Sequence, residues 1–221
     1  MQSRCEESSQ GFSVIDFTGR HLYLCTPIRD DLEEFLASCI TGGVDIVQLR
    51  QKESEAKHIL EAARRARSVC NDLGVPFIMN DRPDLALEVG ADGVHVGQDD
   101  APIDLCRRLL GADSIIGLST HASSELDQAI DEDVTYLSAG PVEATPTKPG
   151  RPGTGPAYVK EALRKSPVPV FVTGGVTPES ILDLGAIGVR HFVVVRALTE
   201  AANPKEMATA LRRSIEHVLA H

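Results

Sequence analysis

The chain repeats one theme eight times: a short apolar run, then a stretch with helical spacing. The runs are Leu22 to Cys25, Asp45 to Arg50, Pro76 to Asn80, Gly93 to Val96, Ser114 to Ser119, Val134 to Ala139, Val168 to Thr173 and His191 to Val195. Each is brief and draws on Val, Ile, Leu, Phe or Tyr, as strands buried on both faces of a parallel sheet do. In the first gap, Leu32, Phe35, Leu36 and Ile40 fall on one face of a helix over Asp31 to Ile40, and Gly42-Gly43 stops it. Similar patterns occupy Glu55 to Leu73, Pro83 to Val89, Ile103 to Leu110, Ser123 to Ile130, Ala157 to Arg164, Pro178 to Leu184 and Pro204 to Ala220. Thr177-Pro178 reads as an N-cap followed by proline at the first helical position.

Eight strands alternating with eight helices predict an α/β fold, the closed (β/α)8 or TIM barrel, over residues 21–221, behind a polar N-terminal tail at 1–20. A doubly wound open sheet uses the same alternation. The barrel is favoured because the count closes at eight and no G-x-G-x-x-G follows the first run. The 221 residues suit one such domain.

The formal net charge of −10 speaks against nucleic acid as a partner, because a phosphate backbone needs a basic face. A small anion stays compatible, since a few converging cations make a local positive field. No apolar run approaches membrane-spanning length, and Met1 to Arg20 lacks the apolar stretch of a signal peptide. Five cysteines (Cys5, Cys25, Cys39, Cys70, Cys106) are odd in number and include no C-x-x-C pair. That argues against zinc and against a disulfide framework, and for buried reduced thiols in a reducing compartment. A cytoplasmic protein is expected. Assembly of identical chains is left open.

A barrel of this kind carries its site at the C-terminal ends of its strands. The second run ends in Gln48, Arg50 and then Lys52, which alternation puts on one face if the extended chain continues that far. Two cations and an amide on one face are costly inside a barrel unless they meet an anion, although a surface ion-pair network is the simpler reading. The third run ends in Asn80-Asp81 and the fourth leads to Gly97-Gln98-Asp99-Asp100. Magnesium takes one or two carboxylates and completes its shell with water and phosphate, which suits Asp81 and Asp100. The competing reading makes Asp81 and Asp99 or Asp100 helix caps before Pro83 and Pro102. Ser119 can donate to a phosphate oxygen, and His121 can act as an acid or base or be structural.

The sixth run leads into Thr145-Pro146-Thr147-Lys148-Pro149-Gly150. This loop cannot be a helix or a central strand, and it brings two hydroxyls and an ammonium within four residues. It suits anionic oxygens and can act as a lid. Gly174-Gly175 and Val195-Arg196 end the seventh and eighth runs, where barrels commonly hold phosphate on backbone N–H groups. Two anion sites in one pocket result: one near the second to fifth strands, one near the seventh and eighth. They suit two phosphorylated substrates, or one phosphorylated at both ends.

Taken in order, Gln48-x-Arg50-x-Lys52, Asn80-Asp81, Gly97-Gln98-x-Asp100, Gly117-x-Ser119-x-His121, Gly140-Pro141, Thr145-x-Thr147-Lys148 and Gly174-Gly175 resemble the motifs of the thiamine phosphate synthase family. The resemblance covers nearly the whole chain after the tail. It implies a transferase that joins hydroxymethylpyrimidine diphosphate to thiazole phosphate and releases pyrophosphate. It also implies that Gln48, Arg50, Lys52, Asn80, Ser119 and Lys148 hold the pyrimidine diphosphate, and that Asp81 and Asp100 hold Mg2+. The thiazole phosphate falls to Thr145, Thr147, Gly174-Gly175, Val195 and Arg196. Arg50, Lys52, Lys148 and Ser119 are the expected catalytic set. The family usually has an aromatic residue and a proline just before the first Thr of the loop; this chain has Glu143 and Ala144.

The implied chemistry is loss of pyrophosphate from a carbocation-like pyrimidine methylene, which the thiazole nitrogen then captures. Two other readings use the same barrel. A thiazole tautomerase would bind only the thiazole phosphate, with His121 available as an acid or base, but has no need of Arg50, Lys52, Asp81 and Asp100 together. A non-catalytic sensor of phosphorylated metabolites would not need the full set of cations and carboxylates.

Overall fold

The structure, a computed structural model, describes residue 17 and residues 19–144 and 152–221. Eight parallel strands close on themselves in chain order: β1 Leu22–Thr26, β2 Ile46–Leu49, β3 Phe77–Asn80, β4 Gly93–Val96, β5 Ile115–Thr120, β6 Tyr136–Ala139, β7 Val170–Thr173 and β8 His191–Val194. Between and after them run α1 Leu32–Thr41, α2 Ala56–Asp72, α3 Pro83–Val89, α4 Ile103–Leu110, α5 Ser123–Ala129, α6 Gly155–Lys165, α7 Pro178–Ala186, α8 Arg196–Thr199 and α9 Pro204–Leu219. The predicted (β/α)8 barrel is therefore present. β2 is shorter than expected, ending at Leu49, and α8 is an added single turn.

Period-two alternation sorts the strand residues into two cores. Leu22, Leu24, Val47, Leu49, Phe77, Met79, Val94 and Val96 face the helices and join their apolar sides. Tyr23, Ile46, Ile78, Ile115, Tyr136 and Phe171 face the barrel axis. Phe17, from the segment expected as a polar tail, joins this inner core at 4% exposure. Its ring stacks on Tyr136 at 5.1 Å and meets Phe171 edge-on at 5.8 Å. Towards the C-terminal end of the strands the inward positions turn polar: Gln48, Asn80, His95, Ser119 and Ser138 are all buried. That gradient along the axis puts the polar positions at the C-terminal end of the barrel.

Local chemistry sets the helix starts. Thr177 caps α7 by accepting from the Ser180 N–H, while the Ser180 hydroxyl accepts from the Thr177 N–H, as its Thr-Pro pair predicts. Asn203 caps α9 by accepting from the Glu206 N–H. At the opposite mouth, Asp45 accepts from the N–H groups of His21 and Leu22 and from the Arg212 guanidinium. It ties the start of β1 to the last helix. Among the described residues no helix is long and apolar enough to cross a membrane.

Candidate active site

A cavity of about 760 Å³ opens at the C-terminal ends of the strands. Tyr23, Cys25, Gln48, His95, Ser119, Tyr136 and Ser138 line it from the barrel interior. Their polar atoms are joined. The Cys25 thiol donates to Gln48 Oε1 at 3.2 Å, and Gln48 Nε2 donates to the Tyr23 hydroxyl at 2.8 Å. The Tyr23 and Tyr136 hydroxyls are 2.9 Å apart, His95 Nδ1 is 2.9 Å from the Tyr136 hydroxyl, and His95 Nε2 is 2.8 Å from Ser119 Oγ. Burial pushes both tyrosine hydroxyls well above the ordinary phenol range, so both keep their protons.

On one side of the cavity stand Arg50, Lys52 and Asp81. The extended chain stops at Leu49, short of the alternation expected through Lys52, yet Gln48, Arg50 and Lys52 all line the same space. Lys52 Nζ lies 3.2 Å from Asp81 Oδ2. Asp81 has φ +61°, the one non-glycine residue with positive φ among those described. Aspartate tolerates that region better than most residues, and such strain collects at functional sites. Burial first, and then the neighbouring Asp100 carboxylate, raise the Asp81 pKa above its usual 3.8, and Lys52 opposes the rise. Asp100 itself accepts from the Gly97 N–H at 2.8 Å. Neither aspartate caps a helix: α3 begins after Arg82 and α4 after Pro102, with no side-chain cap at either. Among the described residues no cluster of three or more His, Cys, Asp or Glu groups gathers as a metal cage.

The facing wall is largely backbone. Gly174 and Gly175 follow β7 with φ +97° and +73°, and both line the cavity with Val195 and Arg196. At Gly174 a Cβ would sit 2.6 Å from Pro141 Cβ, so only glycine lets the turns after β6 and β7 pack this closely. At Gly175 it would sit 2.5 Å from Glu143 Oε2, which places that carboxylate over the turn.

Gln48, Arg50, Lys52, Asn80, Asp81, Ser119, Gly174, Gly175, Val195 and Arg196 thus share one cavity wall system. Asp100 stands behind Asp81, outside the lining. Thr145, Thr147 and Lys148 lie outside the described residues. His121 lines the cavity and is held by Glu125, 3.0 Å from its Nδ1. Tyr23, Tyr136 and Ser138 carried no site expectation. The signal that reveals them is the strand period: Ser138 pairs with Ser119 in the ladder, and Tyr136 lies two residues before it.

Fold and site together define a class: a (β/α)8-barrel protein whose strand ends gather cations, carboxylates and a glycine turn around one cavity. The model of the thiamine monophosphate synthase family matches residues 22–198, and the chain belongs to that family. Members of it condense a pyrimidine and a thiazole moiety into thiamine phosphate. The thiamine-phosphate synthase of Mycolicibacterium smegmatis is 42% identical over 207 residues, covering 88% of this chain and 91% of the relative. That of Thermobifida fusca is 44% identical over 200 residues, with 88% and 91% covered. That of Thermosynechococcus vestitus is 40% identical over 197 residues, and there the chain spans only 56% of the relative's length. Among solved structures, thiamine phosphate pyrophosphorylase from Pyrococcus furiosus superposes with a TM-score of 0.81 at 27% identity, covering 90% of this chain and 96% of the other.

Proposed function

We propose that this chain joins hydroxymethylpyrimidine diphosphate to thiazole phosphate with the aid of Mg2+, and releases pyrophosphate. The observation that carries the reading is that Arg50, Lys52 and Asp81 share one cavity with the Gly174-Gly175 turn, with Asp100 next to Asp81. Two adjacent carboxylates that repel each other suit a divalent cation, which keeps waters and takes phosphate oxygens for the rest of its shell. When bound, Mg2+ would neutralise charge on the departing diphosphate.

The residues of the chain divide the remaining work. Arg50 and Lys52 bind diphosphate oxygens, with Lys148 from the loop after β6 as a third cation. Gln48, Asn80 and Ser119 orient the pyrimidine end from the barrel floor. The bond between the pyrimidine methylene and the diphosphate oxygen breaks, and its electron pair leaves with pyrophosphate. The thiazole nitrogen supplies its lone pair to the same methylene carbon. That nitrogen carries no proton, so no general base is required, and positioning and electrostatics supply the rate. Gly174-Gly175, Val195, Arg196, Thr145 and Thr147 hold the thiazole phosphate on the facing wall. Cytoplasmic location follows the same reading, supported by Cys39 and Cys70, buried cysteines that form no disulfide.

Incubation with both substrates and Mg2+, followed by detection of pyrophosphate, tests the proposal. Arg50→Ala and Lys148→Ala should each lower turnover by about 10²-fold or more while the fold persists. Near-normal rates in both would contradict it. Product from the thiazole phosphate alone would favour the tautomerase instead.

A further inference from the structure

Six side chains in the barrel floor form one continuous hydrogen-bonded series, Cys25–Gln48–Tyr23–Tyr136–His95–Ser119, with successive contacts of 2.8–3.2 Å. Proton counting gives the series a direction. A tyrosine hydroxyl has one proton, and a neutral imidazole has one N–H and one acceptor nitrogen. Gln48 donates to Tyr23, and the arrangement that satisfies every group in the series then sends the Tyr23 proton to Tyr136. The Tyr136 proton then goes to His95 Nδ1. The imidazole proton is left on Nε2, which faces Ser119 Oγ. Ser119 therefore accepts from His95, and its own proton is left for the cavity it lines.

We propose that Tyr23, Tyr136 and His95 are positioning residues that fix Ser119 as a hydrogen-bond donor to the diphosphate-bearing substrate. An isolated serine hydroxyl rotates and can donate or accept; one that already accepts from an imidazole N–H presents its proton in a set direction before substrate arrives. The surroundings hold this arrangement. The Tyr136 ring stacks on Phe17 at 5.1 Å and on His95 at 5.5 Å. Gly117 makes the room: a Cβ there would strike the Tyr136 ring and sit 2.6 Å from His95 Nδ1. Phe17 thus packs against the ring that holds the series in place.

The proposal rests on Ser119 being a substrate ligand, and the test separates the two. The wild-type protein is labelled with 15N-histidine, and the His95 ring signals, assigned through bonds to its backbone, are read by long-range proton–nitrogen NMR above the ordinary histidine pKa. The Nε2–H tautomer is expected. The Nδ1–H tautomer would overturn the relay, because the series would then run the other way with Ser119 giving its proton to His95. This measurement needs no variant. In turnover assays, Tyr136→Phe keeps the ring and should lower kcat about tenfold or more with little change in KM. In a Ser119→Ala background the same change should cost almost nothing further. Equal losses in both backgrounds would assign Tyr136 a purely structural role. Wild-type turnover of Ser119→Ala would overturn the reading of Ser119 as a substrate ligand, and the proposal with it.

Discussion

Asp81→Asn should make the metal-free protein no less stable and the enzyme nearly inactive. The ion pair it removes is modest: Lys52 and Asp81 are 3.2 Å apart, with side chains 54% and 20% exposed. Pairs of this kind contribute about 0.2–1 kcal/mol. Set against that loss, the ionised Asp81 carboxylate is disfavoured by burial and by Asp100. Its folded-state pKa lies above the unfolded value, so the ionised group costs stability as pH rises from 3.8 through the folded value. Asparagine removes that cost and tolerates the φ of +61° that Asp81 adopts. The melting temperature of Asp81→Asn should therefore match or exceed that of the wild type at neutral pH, and the difference should shrink in acid. Alanine lacks the same tolerance and should lose about 1–2 kcal/mol at this φ.

Ligand addition reverses the order. At 100 times Kd, magnesium pyrophosphate should stabilise the wild type by about 2.7 kcal/mol. For a chain of this size that is roughly 5–11 °C in Tm. Asp81→Asn should lose most of that shift, and turnover should fall by about 10²-fold or more for lack of several kcal/mol of charge stabilisation. Differential scanning fluorimetry at acid and neutral pH, with and without magnesium pyrophosphate, reads all of this. A variant that is destabilised without ligand and still shifts fully with it would refute the reasoning. Asp81 would then be a structural partner of Lys52 and nothing more.

Two further outcomes follow from the same geometry. Glu143→Gln removes a carboxylate from over the Gly175 turn, so KM for thiazole phosphate should fall about fivefold, the equivalent of about 1 kcal/mol for one charge pair near 4 Å in water; an unchanged KM in steady-state assays would place that phosphate elsewhere. Asp45→Ala strands the N–H groups of His21 and Leu22 and the Arg212 guanidinium, and should cost about 3 kcal/mol, or roughly 6–12 °C in Tm, with kcat retained by whatever fraction stays folded.

The barrel was legible because its strands are short and buried on both faces, so each announces itself as a compact apolar run between helical patterns. What escaped is what has no period. α8 is four residues long, too short for a helical repeat to show. Phe17 stands outside the repeating pattern of apolar runs and helical stretches, and only the closed barrel shows that it fills the inner core. The polar strand ends were legible at Gln48, Arg50, Lys52, Asn80, Asp81 and Ser119, because charge and amide at a strand end are conspicuous. Tyr23 and Tyr136 were not, because an aromatic ring inside an apolar run reads as packing. Their hydroxyls gain meaning only when closure brings the two oxygens, one from β1 and one from β6, within 2.9 Å of each other across the floor. The capping alternative for Asp81 and Asp100 could be dismissed only once Arg82 and Pro102 were seen at the helix starts.

A crystal structure with Mg2+ and pyrophosphate bound tests the central claim most directly. It should show the metal between Asp81 and Asp100, and diphosphate oxygens on Arg50 and Lys52, inside the 760 Å³ cavity. Pyrophosphate seated outside that cavity, or a metal that touches neither aspartate, would contradict the account.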